Sequence, residues 1–383
     1  MLIRSEPLAW RLLLTPPLPL RADAATAAIE RVVRALLALR RAPWRLGWVR
    51  HRPRIVAHMA VGCVVGVDLG GTKRLAGSVD PDLNVHHRAR RVAQGVEQRA
   101  LIELVRDAVE QVIAATPHEV TGVGFGIPCL IDQRTGTAVM AVNLAINDLP
   151  FGDVMAERLG LPVFVDNDAN CAALAEHRHG AARGAEHVVL LTIGTGIGGG
   201  LVLGGEIYRG AVGAGAELGH CVVEIDGPRC QGQCPNRGCL EAVASGTALA
   251  REARRLAEEQ PGSALVRVLA SGTAITGILA TELAHDGDPA AREVVELIGR
   301  RLGVGIANYV NVFNPEVVVI GGGVMAAGEM LLAPAREEMA ARALHPSRDV
   351  VSIRAAHFGA EAGMVGAATL AMEGIAARRR AAA

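Results

Sequence analysis

Residues 61–79, VGCVVGVDLGGTKRLAGSV, hold the pattern that decides the fold. Val61–Val67 is an apolar run of strand length, Asp68-Leu-Gly-Gly-Thr72-Lys73 is a turn, and Leu75–Val79 is a returning strand. The arrangement comes back at residues 187–203, HVVLLTIGTGIGGGLVL. There His187–Ile193 is a strand, Gly194–Gly200 a glycine turn, and Leu201–Leu203 a return strand. Two glycine-tipped hairpins about 125 residues apart predict a duplicated α/β domain.

The tips are candidates for phosphate binding. Without side chains at Gly70 and Gly71, backbone N–H groups can approach phosphate oxygens, and Thr72 adds a hydroxyl. Lys73 is the sole lysine; the other 38 basic residues are arginine. The competing reading is an ordinary hairpin. Gly194-x-Gly196-x-x-Gly199 has the form of a dinucleotide fingerprint, but that site needs a helix next, and Leu201–Leu203 reads as a strand. A second phosphate hairpin, with Thr195, Gly196 and Gly198 as candidates, is more economical. Val317–Ile320 is a buried strand running into Gly321-Gly322-Gly323 before a helix at 326–343. A nucleotide's base and ribose could lie flat on that backbone; a plain strand-to-helix turn is the alternative.

Between the hairpins, residues 101–113 have helical periodicity and Val120–Ile127 reads as a strand ending at Pro128. After the short strand Val163–Val165, Asp166-Asn167-Asp168-Ala169-Asn170 opens a helix running to His179. Asp168 is either an N-cap or a carboxylate held at a domain junction and kept ionised by the helix terminus. Asn167 offers both a donor and an acceptor, as sugar hydroxyls require. Further helices are expected at 247–259 and 290–312, then a strand at 350–355 and an alanine-rich helix from Glu361.

Glu217-Leu-Gly-His220 is followed by Cys230, Cys234 and Cys239, then Glu241. Three thiols spaced C-x3-C-x4-C, with a histidine upstream, have the arithmetic of a tetrahedral Cys3His zinc site. A metal there also fixes Glu217 and Glu241, and fixed carboxylates suit gripping hydroxyls. A disulfide with a spare thiol, or three unrelated cysteines, are the alternatives.

The 383 residues are enough for two or three domains. Residues 1–58 carry eleven Arg against three acids, so +8; the remainder carries 28 basic and 36 acidic residues, so −8. The body therefore lacks the basic footprint of a nucleic-acid binder. All three Trp lie in this basic extension, which shows one plausible helix, residues 24–41, where a helix-turn-helix needs two. Met59 stands directly before the first strand, so the extension reads as flexible or as sequence upstream of the true start. Leu12–Leu20 is apolar, but Arg11 and three prolines spoil it as a signal peptide. Seven cysteines without a disulfide framework fit a reducing cytoplasm, and no apolar run reaches membrane-spanning length.

Taken in order, Asp68-Leu-Gly-Gly-Thr-Lys, Asn167-Asp168-Ala-Asn170, Gly194-Thr-Gly-Ile-Gly-Gly-Gly200, Glu217-Leu-Gly-His220 and Cys239-Leu-Glu241 resemble the ROK family of sugar kinases and sugar-responsive repressors, over roughly 61–372. The resemblance implies the actin-like ATPase (ribonuclease H-like) fold, two α/β domains around a cleft. The expected division is 59–168 and 169–360, with helix 361–378 packing back on the first domain. It implies Asp168 as catalytic base, and Asn143, Asn167, Asp168, Glu217, His220 and Glu241 as sugar ligands. It also implies ATP and Mg2+, the latter partly through Asp68, and structural Zn2+ on His220, Cys230, Cys234 and Cys239. The expected activity is phosphorylation of a hexose 6-hydroxyl, glucose first, by a homo-oligomer, a dimer or tetramer. Another hexose, such as N-acetylmannosamine, N-acetylglucosamine, mannose or fructose, or a repressor's sensing role, are the alternatives. There are departures. First and second cysteine stand four positions apart rather than two, Pro128-Cys129 replaces Pro-Gly, and Val142-Asn143-Leu144-Ala145-Ile146 lacks the family's Pro and Trp.

Overall fold

The structure, a computed structural model, describes residues 62–70, 74–91, 96–141, 144 and 146–383. The extension, Gly71, Thr72, Lys73 and Asn143 lie outside the described residues. The first half runs β1 (Cys63–Asp68), β2 (Arg74–Val79), β3 (Val85–Arg91), α1 (Gln98–Ala115), β4 (Val120–Ile127), β5 (Cys129–Asp132), β6 (Thr137–Ala141), β7 (Asn147–Leu149), α2 (Phe151–Leu159), β8 (Val163–Asn167) and α3 (Asp168–Arg178). The second runs β9 (Val188–Ile193), β10 (Ile197–Leu203), β11 (Glu206–Ile207), α4 (Leu240–Ala244), α5 (Gly246–Glu259), α6 (Ala264–Ala270), α7 (Gly277–His285), α8 (Pro289–Phe313), β12 (Val317–Gly321), α9 (Glu329–Arg342), α10 (Ser347–Val350), β13 (Ser352–Ala355) and α11 (Ala362–Ala382).

Two five-stranded sheets share one topology. The orders are β3-β2-β1-β4-β8 and β11-β10-β9-β12-β13. In each, an antiparallel hairpin precedes three parallel strands. The duplication expected from the two glycine hairpins is thus present strand for strand, and the fold is the actin-like one. A small antiparallel sheet, β5-β6-β7, is an insertion in the first half.

The central strands read as continuous apolar runs because both faces are covered. Val188–Ile193 is buried at every residue but Thr192. Its sheet packs with α4, α5 and α8 in one large core. On α8, Asp288 caps the first turn by accepting the Ala291 N–H at 2.9 Å, Pro289 occupies the first turn, and Asn314 ends the helix with φ +46°. The first half has its own core, where the Phe125 and Phe151 rings meet edge-to-face at 5.1 Å. Truncating either fully buried ring would cost about 3–5 kcal/mol.

Helices α3 and α11 pack against each other, and their small residues permit it. A Cβ on Gly366 of α11 would lie 1.7 Å from the Cys171 carbonyl oxygen of α3. A Cβ on Gly200 of β10 would lie 2.6 Å from Ala173 Cβ, so α3 leaves the first sheet and lies directly on the second. This corrects the expected glycine turn over 194–200. Only Gly194–Gly196 forms the tip; Gly198–Gly200 belong to β10, where α3 crowds Gly200, the Ala216–Leu218 segment crowds Gly199, and Thr192 with Ala169 crowds Gly198.

Candidate active site

Parallel strands deliver their C-terminal ends, and the loops beyond them, to one edge of a sheet, where α/β proteins bind ligands. In the first sheet Asp68 pairs in register with Gly126, and Ile127 with Asn167. Asp68 and the Asn167-Asp168 junction therefore stand on strand ends separated only by β4. In the second sheet Gly321 pairs with Thr192, which sets Gly321–Gly323 beside the Gly194–Gly196 tip. Gly322 has φ +89°, and a Cβ there would lie 2.4 Å from the Ile193 carbonyl oxygen; both facts restrict that position to glycine.

The helix cap differs from expectation. Asn167, not Asp168, caps α3: its Oδ1 accepts the N–H groups of Ala169 at 2.9 Å and Asn170 at 3.2 Å. Its Nδ2 donates to the Cys129 carbonyl at 3.5 Å, so part of its hydrogen-bonding capacity is already engaged. Asp168 sits in the first turn and accepts the Ala169 N–H at 2.9 Å, with its own N–H and the Asn167 side chain also close to its carboxylate.

Nor does the helix terminus hold Asp168 fully ionised at low pH. Burial raises its pKa to about 6, opposed by the Ala169 N–H and aided by the Glu217 charge. Asp68 is raised to about 7, first by burial and then by the Asp168 charge, against the Gly70 N–H that Asp68 accepts at 2.8 Å. Glu217 is exposed, yet the protein packed around it raises its pKa, with His220 opposing and Glu241 adding. The acids thus form one electrostatic chain, Asp68–Asp168–Glu217–Glu241.

One pair was not anticipated from the sequence. Asp166, 2% exposed, accepts Nε and Nη2 of Arg209, both at 2.7 Å. Its other oxygen accepts the Asn167 N–H at 2.8 Å, Asn170 Nδ2 at 3.0 Å and Gln133 Nε2 at 3.3 Å. Every lone pair of this buried carboxylate is therefore occupied, and the Asp166-Asn167-Asp168 backbone is fixed from behind. The signal available was a charged residue at a strand position that would otherwise be apolar.

Glu217 follows Ala216, a left-handed residue at φ +64°, and leads into a 3-10 turn at Leu218–His220. The buried Tyr309 hydroxyl of α8 donates to the Leu218 carbonyl and anchors that turn. His220 turns Nδ1 toward Cys230 Sγ, 3.5 Å away, which puts Nε2 on the far side of the ring. Cys234 and Cys239 sulfurs are 3.9 Å apart, and the four ligand atoms of His220, Cys230, Cys234 and Cys239 lie within 4.8 Å of one another. A tetrahedral zinc with ordinary bond lengths has S···S edges of about 3.8 Å and S···N edges of about 3.6 Å, so the donor set fits that ion. Burial pushes the Cys230 and Cys239 thiols up, so thiolates here call for a cation. Cys221, exposed, stands outside the cluster.

Glu241, in the first turn of α4, accepts the Ile197 N–H at 2.8 Å through Oε2 and faces Cys230 Sγ with Oε1 at 3.8 Å. It therefore joins the thiol cluster to the glycine tip. A Cβ at position 196 would lie 2.2 Å from Glu241 Oε2, so a side chain there would displace the carboxylate from the Ile197 N–H. Of the expected site residues, Asp68, Gly70, Asn167 and Asp168 come from the first sheet's edge. Thr195, Gly196, Gly321, Gly322, Gly323, Glu217, His220 and Glu241 come from the second sheet and its loops. Gly198 lies inside β10.

Residues 64–374 match the model of the ROK family. The glucokinase of Thermotoga maritima is 37% identical over 319 residues, spanning 82% of this chain and 98% of that one. A xylose repressor of Caldicellulosiruptor bescii is 29% identical over 286 residues, 72% of this chain and 70% of the repressor. The crystal structure of a ROK family glucokinase from Streptomyces griseus in complex with glucose and AMPPNP superposes with a TM-score of 0.73 at 36% identity, covering 81% of this chain and 99% of that one. Family motifs, duplicated sheets and these likenesses agree, and the chain belongs to the ROK family.

Proposed function

We propose that this protein is an ATP-dependent hexose kinase whose substrate is glucose, phosphorylated at the 6-hydroxyl. The observation that carries the mechanism is Asp168. Asn167 takes over the cap, so the Asp168 carboxylate is not committed to that role, and its pKa of about 6 leaves it ionised but basic at neutral pH.

Asp168 accepts the proton of the 6-hydroxyl as that oxygen attacks the γ-phosphorus. The bond from the γ-phosphorus to the β–γ bridging oxygen breaks, and ADP leaves with the electron pair. Glu217, His220 Nε2 and Glu241, with Asn143 and Asn167, grip the remaining hydroxyls and orient the attack. Backbone N–H groups at Thr195–Gly196 receive phosphate oxygens, with Gly198 behind that tip; in the first turn the Gly70 N–H is already taken by Asp68, so the phosphate donors proposed there are Gly71, Thr72 and Lys73. Gly321–Gly323 lies flat under the nucleoside. Oxygen donors of Asp68 suit Mg2+, which when bound offsets phosphate charge. Zinc on His220, Cys230, Cys234 and Cys239 is structural, because four protein ligands leave no open position.

The two sheets with their flanking helices form two lobes, and sugar and nucleotide meet between them. A sensing repressor would not require both the free carboxylate and the phosphate tips. A coupled assay of the purified chain with Mg-ATP and a panel of hexoses tests the reading. Glucose should give the highest kcat/KM. No phosphorylation of any hexose would overturn the kinase assignment, and preference for another hexose would overturn the substrate.

A further inference from the structure

The glycine tip is held from behind through its carbonyls, and one contact comes from the thiol loop. The Gly246 N–H donates to the Gly194 carbonyl at 2.8 Å. The Thr195 carbonyl accepts Thr247 Oγ1 at 2.8 Å and Gln231 Nε2 at 3.2 Å. Gln231 Nε2 also reaches Ser245 Oγ at 3.2 Å, and Ser245 is fully buried as the cap of α5. The Gly194 N–H closes on the Gly196 carbonyl at 2.9 Å, and Glu241 takes the Ile197 N–H. Among the described residues, the N–H groups of Thr195 and Gly196 alone in this tip have no protein partner.

A trans peptide is planar, with its C=O and N–H on opposite sides. Fixing the Gly194 carbonyl therefore aims the Thr195 N–H, and fixing the Thr195 carbonyl aims the Gly196 N–H. The carbonyls point back to the start of α5 and to the thiol loop, so both free N–H groups point forward, off the edge of the second sheet. Two preset donors on adjacent residues form an anion-binding concavity.

We infer that Gln231, in the arch between Cys230 and Cys234, is a positioning residue for nucleotide phosphate: it fixes the Thr195 carbonyl and so aims the Gly196 N–H at a phosphate oxygen of ATP. This rests on reading the glycine tip as a nucleotide-phosphate cradle. It gives the thiol loop a second task, orienting the nucleotide as well as the sugar. Gln231 is not a metal ligand and is partly exposed, so its replacement leaves the metal cluster and the core in place.

The test is calorimetric binding of Mg-AMPPNP to the zinc-loaded chain, wild type against Gln231→Ala and Thr247→Ala, alongside steady-state kinetics and zinc stoichiometry. One neutral hydrogen bond lost corresponds to about 3- to 10-fold. Gln231→Ala should weaken Mg-AMPPNP and raise KM for ATP by that factor. KM for glucose should stay within about twofold, since its proposed grips are untouched. Zinc content should be unchanged. Thr247→Ala, which removes the other donor to the same carbonyl, should show the same selective loss. Unaltered nucleotide affinity in Gln231→Ala would overturn the inference, as would a loss that tracks missing zinc or falls equally on glucose. Failure of the wild type itself to bind Mg-AMPPNP would instead overturn the nucleotide reading beneath it.

Discussion

Replacing Arg209 by Gln removes the charged partner of the most deeply buried carboxylate beside the site. The Asp166 side chain is 4% exposed and that of Arg209 30%, so the acid bears nearly all the desolvation. Breaking a buried pair by removing one partner costs about 3–5 kcal/mol. Three neutral donors, from Asn167, Asn170 and Gln133, remain on Asp166 and partly solvate its charge, and Arg209 was never fully dehydrated. The expected loss is therefore at or just below the bottom of that range, about 2–3 kcal/mol. Asp166→Asn with Arg209→Gln removes the stranded charge and should regain at least about 1 kcal/mol of it. Urea denaturation of the four proteins in the double-mutant cycle gives the coupling directly. Arg209→Gln should also lower kcat, because Asp166 anchors the Asn167 N–H immediately before Asp168. A single variant within about 0.5 kcal/mol of wild type, or a double variant no more stable than the single, would refute the claim that this pair is coupled and buried.

Asp68→Asn should abolish most activity yet raise stability at neutral pH. The sign follows from a pKa of about 7 in the folded chain against 3.8 unfolded: between those values the folded state binds more protons, so stability falls as pH rises, and removing the charge removes that loss. Thermal melts should show a gain of a few degrees that vanishes below about pH 4; an unchanged Tm at neutral pH would contradict it. In the wild type, kcat should rise with pH through an acidic limb near the Asp168 value of about 6, and a flat profile across that range would contradict Asp168 as the base. Elemental analysis should find one zinc per chain, and Cys234→Ser should lose both metal and fold stability, since structural zinc contributes about 10–16 kcal/mol in small peptides; full activity in metal-free protein would exclude that role.

Much of the fold was legible because its signals are local. The strands of the two hairpins and the buried strand before Gly321 each sit within a few residues of sequence, and the fold brings the spaced Cys and His side chains together. What was missed depends on distant partners. Strand β3 reads VHHRARR, mostly polar, and is placed by pairing with β2 and by side chains reaching distant partners, as Arg88 does to Glu361. The β5-β6-β7 sheet is built from strands of three to five residues, too short for periodicity to register. Gly198–Gly200 looked like turn residues, but their lack of side chains answers to what packs on both faces of that strand, α3 on Gly200 and the Ala216–Leu218 segment on Gly199. The Asp166–Arg209 pair joins residues 43 positions apart, and no local pattern announces it. Asn167 and Asp168 are equally good caps by type, so only geometry could separate the cap from the free carboxylate.

The most direct measurement is the steady-state turnover of purified Asp168→Asn at saturating glucose and Mg-ATP. Asn167 keeps the cap, and Asn preserves size and most hydrogen bonding, so folding and sugar affinity should survive. Turnover should fall by at least about 100-fold, the lower range for loss of a general base. Turnover within a few-fold of wild type would remove Asp168 from the chemistry and contradict the kinase mechanism built on it.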